Sequence, residues 1–272
     1  MSEPLILVPL DGSKQALAAL PVAKVLGGIE RAGLHILHVS KHKVGVDELR
    51  SQLRHEVPAL DGFAIDARVG IPAMQILQVA EEMKPRAIVM CKHSGTERGK
   101  TLGRTAMKVL HDASYPLVLV PPERGVVPWH LHHVMVPHDG TPTTSAALRP
   151  AAELADHGRA ELLVVHVTDI KTAPAEAGSL TTPRYVDQPQ HEWPAWSTEF
   201  INRLACICPL GHLHVRMFLA HGNTAAEILR LSQLQSTDLI VLAWKGIWEA
   251  PHAATLKEIL RDAQCPILVV RT

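Results

Sequence analysis

Short runs of β-branched and other apolar residues alternate along the chain with longer stretches whose apolar positions recur at helical spacing. In the first half, the apolar runs predict strands at 5–9, 34–39, 63–69, 87–90 and 117–120. The longer stretches between them predict helices at 14–30, 45–57, 72–83 and 103–113. Nearly continuous apolar strands that alternate with helices are typical of a parallel sheet covered on both faces, so the pattern predicts an α/β fold.

The same order of elements returns in the second half. Strands are predicted at 133–137, 162–167, 213–219, 239–243 and 267–270, and helices at 143–157, 191–208, 223–235 and 254–263. The opening segments 5–40 and 133–168 start 128 residues apart and share fourteen identities over 36 positions without a gap. They include the pairs Asp11-Gly12 and Asp139-Gly140, each directly after a strand. The chain is therefore an internal duplication.

The duplication predicts two domains, at 1–124 and 131–272. Gly70 and Gly222 correspond but lie 152 residues apart, so about 24 residues are inserted after the repeated opening unit. We place this insertion at about 170–190, where Pro, Gly, Ser and Thr predict an irregular loop. The segment 121–130 forms a short, stiff linker, from which we expect the two domains to pack against each other.

Composition narrows the classes of function. The 272 residues carry 27 Lys+Arg and 27 Asp+Glu, so no general field attracts nucleic acid or an anionic membrane. No apolar run approaches the roughly 20 residues that span a bilayer, and the opening MSEP leaves no room for a signal peptide. Cys91, Cys206, Cys208 and Cys265 lack the spacing of a zinc site or a disulfide framework. We expect a soluble, cytoplasmic protein without a nucleic-acid or membrane partner.

Several motifs recur in the same order in both halves. The first strand ends in VPLDGS or VPHDGT, the second strand ends in His-Val, and Gly70 or Gly222 precedes a helix. Each half closes with a helix, an X-Pro pair and a strand, VLHDASYPLVLV or ILRDAQCPILVV. In this order the motifs resemble the universal stress protein family over nearly the whole chain, as a tandem member.

The resemblance implies a specific architecture. Each half would be a five-stranded parallel sheet with helices on both faces, and the two would pack as a pseudo-twofold pair. The strands at 117–120 and 267–270 would pair within the chain, as they commonly do across dimers of the family. A homodimer of the tandem chain stays open. A nucleotide-type pocket would lie at the carboxyl ends of the strands, where open α/β sheets generally bind ligands.

Nucleotide-binding members of the family carry the motif G-x-x-G-x9-G-[S/T] after the fourth strand. Its glycines let backbone N–H groups approach the phosphates, and the helix that follows presents its positive end. The loop 91–105, CKHSGTERGKTLGRT, matches this motif in part. If Gly103 is the last glycine, Met90 and His93 take the places of the first two. Arg104 then replaces Ser/Thr, with Thr105 next.

The resemblance therefore assigns a site for ATP, another adenine nucleotide or a different anion to the first half only. Asp11 stands where the family bonds the adenosine, and Val39 stands beside the base. The complete set of candidate residues is Asp11, Val39, Ser94, Gly95, Gly99, Lys100, Gly103, Arg104 and Thr105. Alternatively, Asp11 and Asp139 only cap turns, and the loop cations are ordinary surface charges.

The second half departs from the motif. Its loop, AWKGIWEAPHAATL, is two residues shorter and has Trp244 and Trp248 where small residues are needed. We predict that at least one of these indoles folds over the carboxyl end of the second sheet, fills the phosphate position and leaves at most a small apolar cavity near Asp139. The alternatives are simple core packing and a repurposed pocket for a flat ligand.

The 17 histidines do not form a metal-binding pattern. His132 and His133 would point to opposite faces of a strand. His38 and His166 end equivalent strands, where they would form part of a polar pocket wall. We find no nucleophile elbow, H-E-x-x-H helix or Walker sequence, so an enzyme is not expected.

Two hypotheses of function follow. The first is a non-enzymatic stress-response or regulatory protein that binds a nucleotide or similar anion in its first half beside a degenerate second half. The second is a ligand-free interaction module that acts through its surfaces. A slow nucleotide hydrolase is the weakest alternative.

Overall fold

The computed structural model describes residues 3–40, 45–47, 50, 63–93, 102–168, 197–199, 201–202, 205–206, 213–248 and 252–272. The helices predicted at 45–57 and 191–208 lie largely outside these residues. The insertion predicted at 170–190 lies wholly outside them, as do Ser94, Gly95, Gly99 and Lys100 of the candidate site.

The described elements follow the predicted alternation in both repeats. The first repeat contains β1 (Leu5–Leu10), α1 (Ala19–Glu30), β2 (Gly33–Ser40), β3 (Ala64–Val69), α2 (Pro72–Met83), β4 (Ala87–Cys91), α3 (Arg104–Asp112) and β5 (Leu117–Val120). The second repeat contains β6 (His133–Pro137), α4 (Pro142–Ser145), α5 (Leu148–Gly158), β7 (Glu161–Thr168), β8 (Val215–His221), α6 (Thr224–Leu234), β9 (Leu239–Trp244), α7 (His252–Asp262) and β10 (Ile267–Arg271). The predicted α/β class is confirmed.

The first compact unit comprises Met1–His130 together with Leu260–Arg271. Its strands lie in the order β3-β2-β1-β4-β5-β10. The first five are parallel, and β10 runs antiparallel to β5 with Leu268 opposite Val118. This confirms the predicted pairing of 117–120 with 267–270 within one chain.

The second compact unit comprises Leu131–Ile259 and Thr272, and its strands lie in the order β9-β6-β7-β8, all parallel. The sequence analysis assigned all of 131–272 to the second domain. In the structure, 260–271 belongs to the first unit because β10 continues the ladder of β5. The division by sequence similarity reflects the duplication, whereas the division into compact units depends on which strands pair.

Both Asp-Gly turns take the same backbone conformation directly after the first strand of their repeat. Gly12 has φ 84° and Gly140 has φ 86°, in the region that glycine adopts most readily. In the first unit this turn lies at the carboxyl ends of the parallel strands, where the chain also enters α3. The fold therefore brings the predicted nucleoside residues and the end of the predicted phosphate loop to one edge of the sheet.

Candidate functional site

A cavity of about 310 Å³ opens at this edge of the first unit. Its apolar lining includes Leu37, Val39, Pro72, Ile76 and Met90. Asp11, which follows β1, and the first turn of α3 also line it. The cavity thus combines an apolar wall with opposite charges, an arrangement suited to a small amphipathic ligand.

The structure brings together every described member of the predicted site. Asp11, Val39, Gly103, Arg104 and Thr105 all line this one cavity, although they come from three separate parts of the chain. The remaining predicted residues lie outside the described part of the chain. The described members thus lie at one cavity, and their role in ligand binding stays a prediction.

Asp11 faces the cavity from an exposed position at the end of β1. Its Oδ1 accepts hydrogen bonds from Ser13 N at 3.0 Å and from Ser13 Oγ at 2.6 Å. These bonds orient the carboxylate through the turn, as expected of an Asp in this position. The same side chain therefore closes the turn and lines the cavity.

The first turn of α3 gives the cavity a positive side. The first bond of the helix runs from Met107 N to Gly103 O at 2.8 Å, so the preceding N–H groups have no intrahelical acceptor. Gly103 provides no side-chain cap, and this described turn contains no acidic residue. Arg104 adds a cation at the same place. Such a helix terminus favours an anion.

Gly103 is required by a close backbone approach. Its N–H donates to Lys92 O at 2.8 Å. A Cβ at this position would lie 3.3 Å from His93 Cα, slightly closer than ordinary van der Waals contact, and 3.4 Å from Lys92 O. The absence of a side chain therefore allows the start of α3 to pack directly on the end of β4.

Among the lining residues that the sequence analysis did not assign to the site are Lys92 and Cys91. Lys92 is only 4% exposed, and its Nζ donates to Ala263 O at 2.8 Å. Burial lowers the pKa of Lys92, and nearby Glu123 opposes this effect. Lysine is normally solvated, and a partner 171 residues away leaves no local pattern. The one available signal was its position immediately after a buried strand.

Cys91, the second of these residues, is buried beside Lys92 and also lines the cavity. Its Sγ donates to Gln15 O at 2.8 Å. Burial raises the pKa of this thiol to about 12, with a further contribution from Asp11. Because the thiolate is the reactive form, Cys91 is a packing residue and a poor nucleophile at neutral pH.

The equivalent aspartate of the second unit is occupied by its own turn. Oδ1 of Asp139 accepts from Thr141 N at 2.9 Å and from Thr144 Oγ1 at 2.7 Å. Burial raises the pKa of Asp139, but these hydrogen bonds outweigh it and the net pKa lies below the ordinary value. Oδ1 of Asp11 also accepts two hydrogen bonds from its own turn, so the difference between the two repeats is that Asp139 is less exposed than Asp11.

The histidines of the two His-Val pairs, one in each repeat, donate hydrogen bonds to backbone carbonyl groups. His38 Nδ1 donates to Leu10 O at 2.9 Å, and His166 Nδ1 donates to His138 O at 2.8 Å. Each ring thereby ties the end of its strand to the end of the neighbouring first strand. Both rings are buried, and neither lines the cavity of the first unit. The predicted pocket-wall role is replaced at His38 by this structural one.

His138 and Ser145 form a hydrogen-bonded pair in the second unit. Gly140 N donates to His138 Nδ1 at 2.9 Å, so the proton of the neutral ring is on Nε2. Nε2 then donates to Ser145 Oγ at 3.1 Å, and Ser145 Oγ donates to Thr141 O at 2.8 Å. A histidine in this tautomer cannot accept the proton of that serine, so the pair lacks the polarity of a nucleophile and its base.

Two tryptophans pack at the end of β9. Trp244 is the last residue of this strand, one later than predicted, and is 5% exposed. Its ring centroid lies 4.8 Å from that of Trp248, with 52° between the planes. Lys257 Nζ lies 5.1 Å from the Trp248 centroid and donates to Trp248 O at 3.1 Å. Burial of an indole here agrees with the prediction, whereas occupation of a phosphate position stays a prediction.

Within the described ranges, no group of three or more His, Cys, Asp or Glu side chains is placed to hold a metal ion. Among the same residues, no helix has the length and apolar character needed to cross a bilayer.

The comparisons with known proteins identify the family. The sequence matches the universal stress protein family over residues 45–121 and 130–271. Because these segments cover well over half of the chain, the protein belongs to the universal stress protein family. The first match lies within the first repeat, after its opening segment 5–40, and the second match covers the second repeat. A search of curated proteins returns no match.

Solved structures with the same fold cover the whole chain. A universal stress protein from Archaeoglobus fulgidus DSM 4304 is 18% identical, with a TM-score of 0.67, 100% coverage of this chain and 99% of its own. A functionally unknown protein from Pseudomonas aeruginosa PAO1 is 16% identical, with a TM-score of 0.68, 99% coverage of this chain and 93% of its own. At these identities the likeness shows the fold alone.

Proposed function

We propose that this protein is a non-enzymatic regulatory protein of the stress-response type that binds an adenine nucleotide, or an anion of similar chemistry, in the cavity of its first unit. One observation carries the proposal. All five described residues of the predicted site line a single cavity.

The cavity suggests how such a ligand would lie. A base would pack against the apolar wall at Val39 and Ile76, with the ribose hydroxyls donating to Asp11. A phosphate would accept from the first turn of α3 and from Arg104. The volume of about 310 Å³ is at the low end for ligand sites, which range from about 300 to 1,000 Å³. A nucleoside with a short phosphate chain fits this size better than a larger ligand.

Calorimetric titration of the full chain with ATP, ADP, AMP, cyclic AMP and adenosine tests the proposal. We expect saturable binding with one site per chain, tighter for AMP than for adenosine because only AMP carries an anion for α3. If none of these compounds binds, the ligand-free interaction module becomes the better description. Phosphorus NMR of the ATP sample over several hours tests the non-enzymatic part, which steady conversion of ATP to ADP would contradict.

A matched pair of variants tests which unit binds. In Asp11→Asn, the amide oxygen still accepts from Ser13, but the amide nitrogen that replaces the second oxygen cannot accept from a ribose hydroxyl. We expect AMP affinity to fall by roughly tenfold or more, as for the loss of a hydrogen bond to a charged group. The equivalent change, Asp139→Asn, keeps the acceptor for the threonines and should leave affinity unchanged. Equal losses from both changes would contradict binding in the first unit.

A further inference from the structure

The terminal segment, residues 260–271, is held on the first unit by more than strand pairing. Besides the ladder between β10 and β5, it makes two contacts in which a cation meets a carbonyl at the end of a helix. Lys92 Nζ donates a hydrogen bond of 2.8 Å to the carbonyl oxygen of Ala263, the residue directly after α7. The guanidinium of Arg271 donates to His111 O in the last turn of α3. Cations are stabilised at helix carboxyl ends, so both contacts favour the docked segment.

Lys92 connects this segment to the cavity of the first unit. It lines the cavity together with Arg104 and Thr105. Its carbonyl accepts the N–H of Gly103, the residue that begins α3, and the two backbones touch because Gly103 has no side chain. One residue therefore contacts both the anion-favouring turn and the terminal segment.

The charge of Lys92 is held in an unfavourable environment. The ammonium is almost fully buried, and burial of a charge favours its neutral form. Glu123 and Asp262 oppose this effect and favour the charged form. An anion in the cavity would act in the same direction: it would favour the charged ammonium, the form that donates a charge-assisted hydrogen bond to Ala263 O.

We propose that Lys92 is a positioning residue through which an anion in the first cavity tightens the docking of the terminal segment. The coupling is reciprocal, because two equilibria that share an interaction change each other by the same factor. The proposal rests on the proposed function, since it requires an anion in the cavity. It adds a consequence of binding: the carboxyl-terminal strand of the chain reports whether the first cavity is occupied.

Hydrogen exchange of the full chain, measured by mass spectrometry, tests this coupling. We expect saturating AMP to slow exchange in peptides from 260–271 by roughly fivefold or more, a factor typical of coupled sites. Inorganic phosphate should have the same effect at higher concentration. Adenosine carries no anion and should leave the segment unchanged. Peptides from β7 in the second unit serve as the internal reference. If AMP binds but exchange in 260–271 is unchanged, or if adenosine slows it as much as AMP does, the coupling is refuted.

Two variants distinguish a specific role of Lys92 from a general effect on the stability of the docked segment. Lys92→Met keeps the length of the side chain without its charge. Its basal exchange is not the readout, because removing a buried charge and leaving a carbonyl unpaired have opposite effects. The readout is the difference between samples with and without AMP, which should disappear. Arg271→Met weakens docking outside the cavity and should retain that difference.

The outcomes distinguish this inference from the proposed function. If none of the nucleotides binds the wild-type chain in the titration, both are overturned. If AMP binds and still slows exchange in Lys92→Met by the wild-type factor, only the role of Lys92 is overturned. The comparison of AMP with adenosine in the wild-type chain needs no variant, so the coupling can be decided even if Lys92→Met does not fold.

Discussion

His138 shows how burial and local hydrogen bonds set the protonation state of one side chain. It is 4% exposed, and burial lowers its pKa to about 4 from an ordinary value of 6.5, against a smaller opposing effect of Asp139. The same ring accepts from Gly140 N, which requires an unprotonated Nδ1. Burial also lowers the pKa of His166, so the folded chain disfavours protonation of both buried rings.

A depressed folded-state pKa predicts a loss of stability in mild acid. Above pH 6.5 His138 is mostly neutral in both the folded and the unfolded chain, so its protonation does not lower the free energy of unfolding. As the pH falls from 6.5 toward 4, only the unfolded chain takes up the proton, so stability falls. We expect roughly 2 kcal/mol less from this residue at pH 5 than at pH 7.5, measured by urea unfolding. His138→Gln should show a smaller drop, whereas the exposed His157→Gln should behave like wild type. An identical drop in His138→Gln would contradict the assignment.

At this scale, prediction from sequence succeeded where a residue belongs to a local motif. Asp11 could be placed by its turn, and Gly103 by the loop before a helix. Lys92 could not, because nothing near it in sequence indicates burial and its partner is supplied by a distant segment. The tautomer of His138 likewise depends on a backbone N–H whose direction only the folded turn determines.

At the scale of elements, the predicted strands agree with the structure to within two residues. Most of them are buried apolar runs bounded by turn residues, whereas β3 and β8 are only partly buried. The helices agree less well. The helix predicted from residue 14 begins as a 3-10 turn at Ala16–Ala18, and α1 starts at Ala19. The helix predicted at 143–157 divides into α4 and α5, although Ala146 and Ala147 keep helical dihedral angles. These divisions are changes of backbone hydrogen-bond partner, which residue propensities do not predict.

Two adjacent glycines in α1 should respond oppositely to the same substitution. A Cβ on Gly27 would lie 2.9 Å from Ala32 O, a backbone atom that cannot easily move, whereas a Cβ on Gly28 meets nothing within 4 Å. Gly27→Ala should therefore lower the free energy of unfolding by roughly 1–3 kcal/mol through overpacking. Gly28→Ala should raise it by about 0.5–1 kcal/mol, because alanine is the better helix former. Thermal unfolding of the two variants measures both signs, and a change of the same sign in each would contradict the packing described for α1.

At the scale of the whole molecule, duplication and compactness divide the chain at different places. The internal repeat ends with the chain, so similarity assigns β10 to the second domain. The structure includes β10 in the first unit, where it covers the side of β5 that would otherwise be a sheet edge. All four residues of β5 are buried, and an apolar edge of this kind invites association between chains. The pairing therefore protects the first unit with a segment that the second repeat encodes.

This assignment predicts which unit a core substitution in β10 will weaken. Leu268 is 4% exposed and lies opposite Val118 of β5, and Leu268→Ala should cost roughly 2–5 kcal/mol. We expect faster hydrogen exchange in β4 and β5 of the first unit, with a smaller change in β7 of the second. Leu163→Ala removes the same side chain from the centre of β7, where Leu163 is fully buried, and should give the reverse pattern. If Leu268→Ala instead loosens β7 and leaves β4 and β5 protected, β10 is energetically part of the second unit. The division of the chain would then follow the sequence repeat, and the coupling proposed through Lys92 would lack the docked segment on which it depends.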